Sequence, residues 1–205
     1  MPDPRPAEDA GSPRLEIHAA CESGVVGTPI ELTRLTREDL SRVADIDRSE
    51  RIDVLYEQQG TQLRERRGTW NAAAWDRHGD GEYSVASQSR ALEGYVEAGG
   101  IALGAFANGQ LVGIGVVVPH LRPTIAQLAY LHVSKDFRAT GIGRRLSDEL
   151  DLIAREAGDT EIVVSATPSA NTVRFYQSRG YELMAPALPE LYELEPEDVH
   201  MRKML

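Results

Sequence analysis

The stretch Leu131-His-Val-Ser-Lys-Asp-Phe-Arg138-Ala-Thr-Gly141-Ile-Gly143-Arg-Arg-Leu146 decides how the rest of the chain is read. An apolar run ending at Val133 passes through a short polar turn into a helix that opens on Gly141-Ile-Gly143. Ile142, Leu146, Leu150, Ile153 and Ala157 then recur at helical spacing, and Gly158 stands where a C-cap is expected. A helix N-terminus offers unpaired backbone N–H groups and a partial positive charge. A diphosphate can dock there if the backbone comes close, and Gly141 and Gly143 remove the side chains that would prevent it. Arg138, Arg144 and Arg145 would add mobile positive charge at the same spot. By itself such a turn is also an ordinary junction between strand and helix, so both readings stand.

Downstream, Ile162–Ala166 reads as a buried strand. Ser169 is placed to N-cap a helix that runs through Arg179 and ends at Gly180. Tyr181 onward and Val199–Met204 supply two further strands. Upstream, Ala126–Val133 is a strand, and Ile101–Ala107 and Leu111–Pro119 flank Asn108-Gly-Gln as a hairpin. The order hairpin, strand, helix, strand, helix, strand, strand predicts an α/β (α+β) domain with a mixed sheet and packed helices.

The first hundred residues are less regular. Pro2, Pro4, Pro6 and Pro13 among Asp, Glu, Ser and Gly mark residues 1–28 as a tail, which leaves residues 29–205 as a single domain. Ile30–Leu35 alternates as a half-buried strand does, and Thr36-Arg-Glu-Asp39 opens a helix carrying Leu40, Val43 and Ile46. Between Asp47 and Gly100 the chain reads as helix interrupted by loops. Ile52, Leu55 and Tyr56 share a helical face, Gly60 and Gly68 interrupt it, and His78–Glu82 forms a turn cluster. Val85, Leu92, Tyr95 and Val96 predict another helix, stopped by Gly99-Gly100.

Composition narrows the function. A net charge of −10 argues against a nucleic-acid partner, and no apolar run is long enough to span a membrane. A single cysteine, Cys21, excludes an internal disulfide framework; with no signal-peptide pattern at the N-terminus, a cytoplasmic protein is expected. The five histidines show no metal-ligand spacing, so no metal is expected. No GxSxG elbow is present, and Leu146 occupies the place of a third Rossmann glycine.

Residues Leu131–Leu146 resemble motif A of the GNAT N-acetyltransferase superfamily, Arg/Gln-x-x-Gly-x-Gly/Ala, with Arg138, Gly141 and Gly143 in the fixed positions. Asn171–Leu183 resembles motif B through Asn171, Phe175-Tyr176 and Gly180-Tyr181. The resemblance implies a GNAT-like fold, with a mostly antiparallel sheet flanked by helices on both faces. It also implies an acetyl-CoA-dependent N-acetyltransferase that moves an acetyl group to a primary amine of a small molecule or peptide, by direct attack through a tetrahedral intermediate. Acetyl-CoA would be the co-substrate and a homodimer is possible. The backbone of Leu131, His132 and Val133 would pair with the pantetheine arm. The N–H groups of Arg138, Ala139, Thr140, Gly141, Ile142, Gly143 and Arg144 would hold the pyrophosphate, Asn171 would bond the pantetheine region, and Tyr176 would protonate the leaving thiolate.

One part of that pattern is missing. The motif-A strand carries Gln127, Tyr130 and His132 but no carboxylate, so the general base stays unassigned. His132, Glu57, Glu82, Glu190 and Glu193 are the candidates weighed for it, each also explicable as a structural or surface residue. Asp45, Asp47, Glu50 and Asp53, interleaved with Arg48 and Arg51, read as an exposed helix with local ion pairs or as a cation-binding cluster. Trp70, Trp75 and Tyr83 read as core aromatics or as walls of an acceptor pocket. A catalytically silent acyl-CoA-binding sensor or interaction domain is the alternative function.

Overall fold

The computed structural model describes residues 29–205; the expected tail lies outside them. Among these residues nine strands form two sheets. β1 (Ile30–Arg34), β4 (Ile101–Ala107), β5 (Gln110–Arg122), β6 (Ile125–Val133), β7 (Glu161–Ala166), β8 (Glu182–Leu183) and β9 (Val199–Met204) make a seven-stranded sheet in the order β1-β4-β5-β6-β7-β9-β8. Every neighbouring pair in it is antiparallel except β6 and β7. The sheet is therefore mixed and mostly antiparallel, as expected.

Alternation along the strands sends side chains to two separate cores. Leu103, Ala105 and Val112 face α2 (Ile142–Ala157), whereas Ala102, Leu111, Ile114 and Val116 face α1 (Val85–Glu97) and a 3-10 helix at Arg37–Asp45. α2 buries Ile142, Leu146, Leu150, Ile153 and Ala154. Full burial of one such leucine stabilises by about 1.5–3 kcal/mol. Two glycines of β5 let this helix approach closely: a Cβ on Gly113 would come 3.0 Å from Ile142, and one on Gly115 would come 2.6 Å from Leu150. The β4–β5 turn has positive φ at Asn108 and Gly109, the conformation a two-residue hairpin demands. Ser169 caps α3 (Ala170–Ser178) by accepting a hydrogen bond from the Thr172 N–H.

The stretch after Asp47 departs from the sequence reading. It is a hairpin, β2 (Glu50–Gln59) paired with β3 (Gln62–Ala72), and forms a small sheet of its own. Ile52, Val54, Tyr56 and Gln58 are the half-buried residues of β2 at every second position, so the period is that of a strand. Leu55 also falls at helical spacing from Ile52, which is what made the helical face legible. Gly60, read as an interruption, is the turn, with φ at 62°. The segment from Tyr181 also shortens: β8 holds two residues, and a one-turn helix, α4 (Pro189–Tyr192), follows.

Candidate active site

β6 and β7 pair only through Ile125↔Glu161, Ala126↔Ile162 and Gln127↔Val163. Beyond that point β6 stays with β5, and β7 continues against β9 up to Ala166↔Val199. The two strands therefore part like a V, and the β6 edge facing β7 carries no ladder from Leu128 to Val133. The register with β5 shifts where Val116↔Tyr130 follows Val117↔Leu128, which leaves Ala129 as an extra residue in β6. Consequently Ala129–Val133 are all half-exposed at the centre of a sheet, whereas Leu111–Val118 of adjacent β5 are fully buried. A central strand with unpaired backbone groups is a site for an extended ligand, because such groups are costly to leave without partners.

β6 runs into the Arg138–Gly143 loop. Ala139 and Gly141 have positive φ, and the Thr140 hydroxyl donates to the Phe137 carbonyl at 2.6 Å, which holds the turn. Gly141 is the N-cap of α2 without any side-chain cap, so the first-turn N–H groups are left free of intrahelical partners. A Cβ on Gly141 would meet nothing within 4 Å, and one on Gly143 would touch Phe175 at 3.4 Å and Val133 at 3.6 Å. The loop thus opens to solvent at Gly141 while Gly143 closes the gap to α3. An extended thioester bearing a diphosphate fits these features: an unladdered strand edge leads to an uncapped helix N-terminus.

The arginines divide unexpectedly. Arg138 donates to the carbonyls of Val133, Ser49 and Arg48 at 3.0–3.2 Å and lies 3.6 Å from Glu50. Arg145 donates to the Ile30 carbonyl. Neither is mobile charge, which corrects the sequence expectation; each is committed to holding the chain. Arg144 remains exposed, 3.7 Å from Asp148. Asn171 donates to Glu50 Oε1 at 2.7 Å, so Glu50 links it to Arg138.

β2 closes the mouth of the V. Asp47 and Arg48 meet the end of β6 through the Lys135 N–H and Arg138, while the Tyr56 N–H reaches the Pro168 carbonyl beyond β7. The Gln58 side chain continues to the Met184 carbonyl and the His200 N–H. The acidic cluster read as one helix is dispersed along this path. Asp45 turns to Arg42, Asp47 accepts from the Ser49 N–H, Glu50 takes Asn171, and Asp53 pairs with exposed Arg51.

The aromatic residues also separate. Trp70 folds over Gly68 on the hairpin. Trp75 is buried edge-on to His132, with ring centroids 5.3 Å apart, and Arg48 stacks between Trp75 and exposed Tyr83. Tyr130 donates to Gln88 of α1 at 2.7 Å. His132 is half-exposed as a residue, but Trp75 and Tyr130 pack against its ring; this desolvation, reinforced by Arg48 and Arg138, lowers its pKa to about 4 and keeps the ring neutral at pH 7.

Tyr176 lies on the opposite, α2 side of the sheet, packed edge-on against Phe175 and Tyr181. Burial raises its phenol pKa, with Asp198 and Glu195 raising it further, so it stays a proton donor. Of the carboxylates weighed from sequence, Glu190 is bidentate with Arg122, Glu57 lies near Arg64 on the hairpin, and Glu193 is exposed. Glu195 and Asp198, which raise the Tyr176 phenol further, were not among those carboxylates. The acidic run just before the last strand was their only signal.

The sequence profile of the acetyltransferase (GNAT) domain family matches residues 76–205, more than half of the chain, and the chain belongs to that family. Solved structures agree on the fold. One is nourseothricin acetyltransferase, with a TM-score of 0.64 at 18% identity over 85% of this chain and 98% of that one. Another is a putative streptothricin acetyltransferase from Bacillus anthracis str. Ames bound to acetyl coenzyme A, at 0.64 and 15% over 86% and 99%. A third is a GNAT-family acetyltransferase from Staphylococcus aureus Mu50, at 0.59 and 16% over 86% and 99%. No curated protein sequence matches the chain. Among the described residues no helix is long and apolar enough to cross a membrane.

Proposed function

We propose that this acetyltransferase moves an acetyl group from acetyl-CoA to the amine of a small molecule or peptide. The observation that carries the reading is the parting of β6 from β7, with the free β6 edge aimed at an uncapped glycine loop. Acetyl-CoA supplies an activated thioester carbonyl. The backbone of Leu131, His132 and Val133 would bond its pantetheine arm, and the N–H groups from Arg138 to Arg144 its diphosphate. The loop bonds by its backbone, since Arg138 is engaged with carbonyls and Arg144, though exposed, lies 3.7 Å from Asp148. Asn171 would reach the pantetheine region by exchanging Glu50 for it.

Tyr176 donates a proton to the departing sulfur. A phenol whose pKa is raised keeps its proton at neutral pH, and the thiolate then gains it as the carbon–sulfur bond breaks. The presence of both Asn171 and Tyr176 at the motif-B positions favours an enzyme over a silent sensor. Calorimetric titration with CoA, followed by thiol release from acetyl-CoA over a panel of amines, tests the reading. CoA binding with amine-dependent thiol release supports it; CoA binding without turnover leaves the sensor.

A further inference from the structure

β6 and β7 part after their last pair, Gln127↔Val163, and Ser165 is the second residue of β7 beyond it. Ile162, Val164 and Ala166 join the rear core with α2 and Tyr176, so alternation along β7 turns Ser165 to the forward side, where α1 lies. Ser165 is half-exposed between buried Val164 and buried Ala166, where the gap opens. Across the β7–β9 ladder it stands opposite His200, whose Nδ1 lies 3.2 Å from its hydroxyl.

His200 is 3% exposed and held in place. Its N–H donates to Gln58 Oε1 at 2.7 Å, and its carbonyl accepts from the Met184 N–H at 2.9 Å. Gln58 is fixed in turn by donating to the Met184 carbonyl at 3.0 Å. The imidazole packs on Tyr192 of α4, with ring centroids 5.8 Å apart. A half-open hydroxyl on the gap is therefore backed by a buried imidazole within hydrogen-bond reach. That is the arrangement by which a hydroxyl can hand on a proton.

We propose that Ser165 and His200 form the proton relay of this cleft: the attacking amine gives its proton to the Ser165 hydroxyl as that hydroxyl gives its own to His200 Nδ1. The inference rests on the acetyltransferase reading above, and it brings the acceptor in from the α1 side. The other candidates are occupied. β6 has no carboxylate, Trp75 and Tyr130 pack against the His132 ring, and Glu57 and Glu190 face arginines. Tyr176 belongs to the rear core, so acid and relay meet the gap from opposite faces of the sheet.

Burial lowers the His200 pKa, opposed by the Glu195 backbone beside the ring, so the imidazole is neutral at pH 7 with a lone pair for Ser165. Among the described residues no ion pair includes His200. Glu195, on the loop after α4, bonds Ser165 through its carboxylate, and Glu82 and Asp198 lie near Glu195. Because Glu195 is exposed, it offers the relayed proton a way to solvent.

The step balances. The acceptor arrives as R–NH₂, and its lone pair forms the nitrogen–carbon bond to the acetyl carbonyl. One N–H proton passes to Ser165 while the Ser165 proton passes to His200. The carbon–sulfur bond breaks, and Tyr176 protonates sulfur. His200 then releases one proton to solvent and Tyr176 regains one. The products are the amide and CoA thiol, with Ser165 unchanged.

The test compares wild type with Ser165→Ala, Ser165→Thr and His200→Gln, using acetyl-CoA with spermidine, putrescine and lysine amide. Ser165→Ala should lower kcat about 10²-fold, with the CoA Kd and the amine KM within a few-fold of wild type. Ser165→Thr keeps the hydroxyl and should recover most of the rate. The wild-type to His200→Gln ratio of kcat/KM cancels the titration of the amine itself. That ratio should rise with pH as the imidazole loses its proton and level off above about 6.5. If His200→Gln does not fold, the Ser165 pair decides alone, because Ser165 is small and half-exposed. A wild-type rate in Ser165→Ala, or a Ser165→Thr rate as low as that of Ser165→Ala, overturns the relay and leaves the acetyltransferase reading standing. Wild type that binds CoA yet acetylates none of the amines overturns that reading and the relay with it.

Discussion

The hairpin β2–β3 and the β6–α2 unit meet at the same cleft but are held by different forces. β6–α2 is fixed from within, by Ile142, Leu146 and Leu150 packed against glycines of β5. The hairpin has few buried side chains and is tied to the rest largely through backbone and polar groups: Arg138 on Arg48 and Ser49, Tyr56 on Pro168, Gln58 on Met184 and His200. Apolar burial builds the half that would hold the cofactor. Directional hydrogen bonds attach the part that crosses its mouth. Elements of the second kind open at lower free energy, which suits a segment that must let ligands pass.

The largest effect should come from Tyr176→Phe. Removing the phenol should slow single-turnover acetyl transfer by about 10²–10⁴-fold, while the CoA Kd stays within a few-fold. The ring still fills its place between Phe175 and Tyr181, so folding should change little. A wild-type rate would reduce Tyr176 to packing, and the rear of the cleft would then be a core like any other.

Gly141→Asp should come next, weakening CoA binding by about 100-fold or more by titration. Its φ of 89° strains any side chain, and the carboxylate would stand against a diphosphate at a helix N-terminus. Unchanged affinity would move the cofactor away from this loop. A third pair separates the two regions by stability alone. Leu150→Ala should cost about 2–5 kcal/mol by denaturant unfolding, because Leu150 is fully buried in the rear core. Val54→Ala on β2 should cost below about 1 kcal/mol, since Val54 is only half-buried. Similar costs would mean that the hairpin is as much core as α2.

The contrast also explains what could be read from sequence. Ile142 to Ala157 was legible because helical spacing, two cap glycines and burial of one face all agree. The Asn108–Gly109 hairpin was legible because its turn chemistry is local. β2 was not, because Ile52, Leu55 and Tyr56 satisfy a helical period that masks the alternation of Ile52, Val54 and Tyr56, and its polar partner β3 carries Arg64, Arg66 and Arg67 with little alternation. Gly141 and Tyr176 stood out through motifs that are each contiguous in sequence. Arg138's hydrogen bonds to Ser49 and Arg48, 89 and 90 positions away, depend on tertiary placement. No local pattern encodes them.

The smallest effect belongs to Glu50→Gln, which probes the attachment itself. Glu50 Oε1 accepts from Asn171 at 2.7 Å, and the other oxygen lies 3.6 Å from Arg138, with both charged side chains partly open to solvent. An ion pair in that setting contributes about 0.2–1 kcal/mol, and glutamine keeps an acceptor for Asn171. Arg138 would retain its three carbonyl acceptors, so the end of β6 stays tied to Arg48 and Ser49. The expected loss is thus below about 1 kcal/mol by denaturant unfolding, with amide exchange on β2 faster by only a few-fold. Arg138→Met removes all three carbonyl bonds at once and should cost more than Glu50→Gln, with the added exchange confined to the hairpin. If Glu50→Gln is as damaging as Arg138→Met, the carboxylate holds the hairpin. The backbone attachment would then be secondary, and the two sides of the cleft would differ in charge more than in mode of packing.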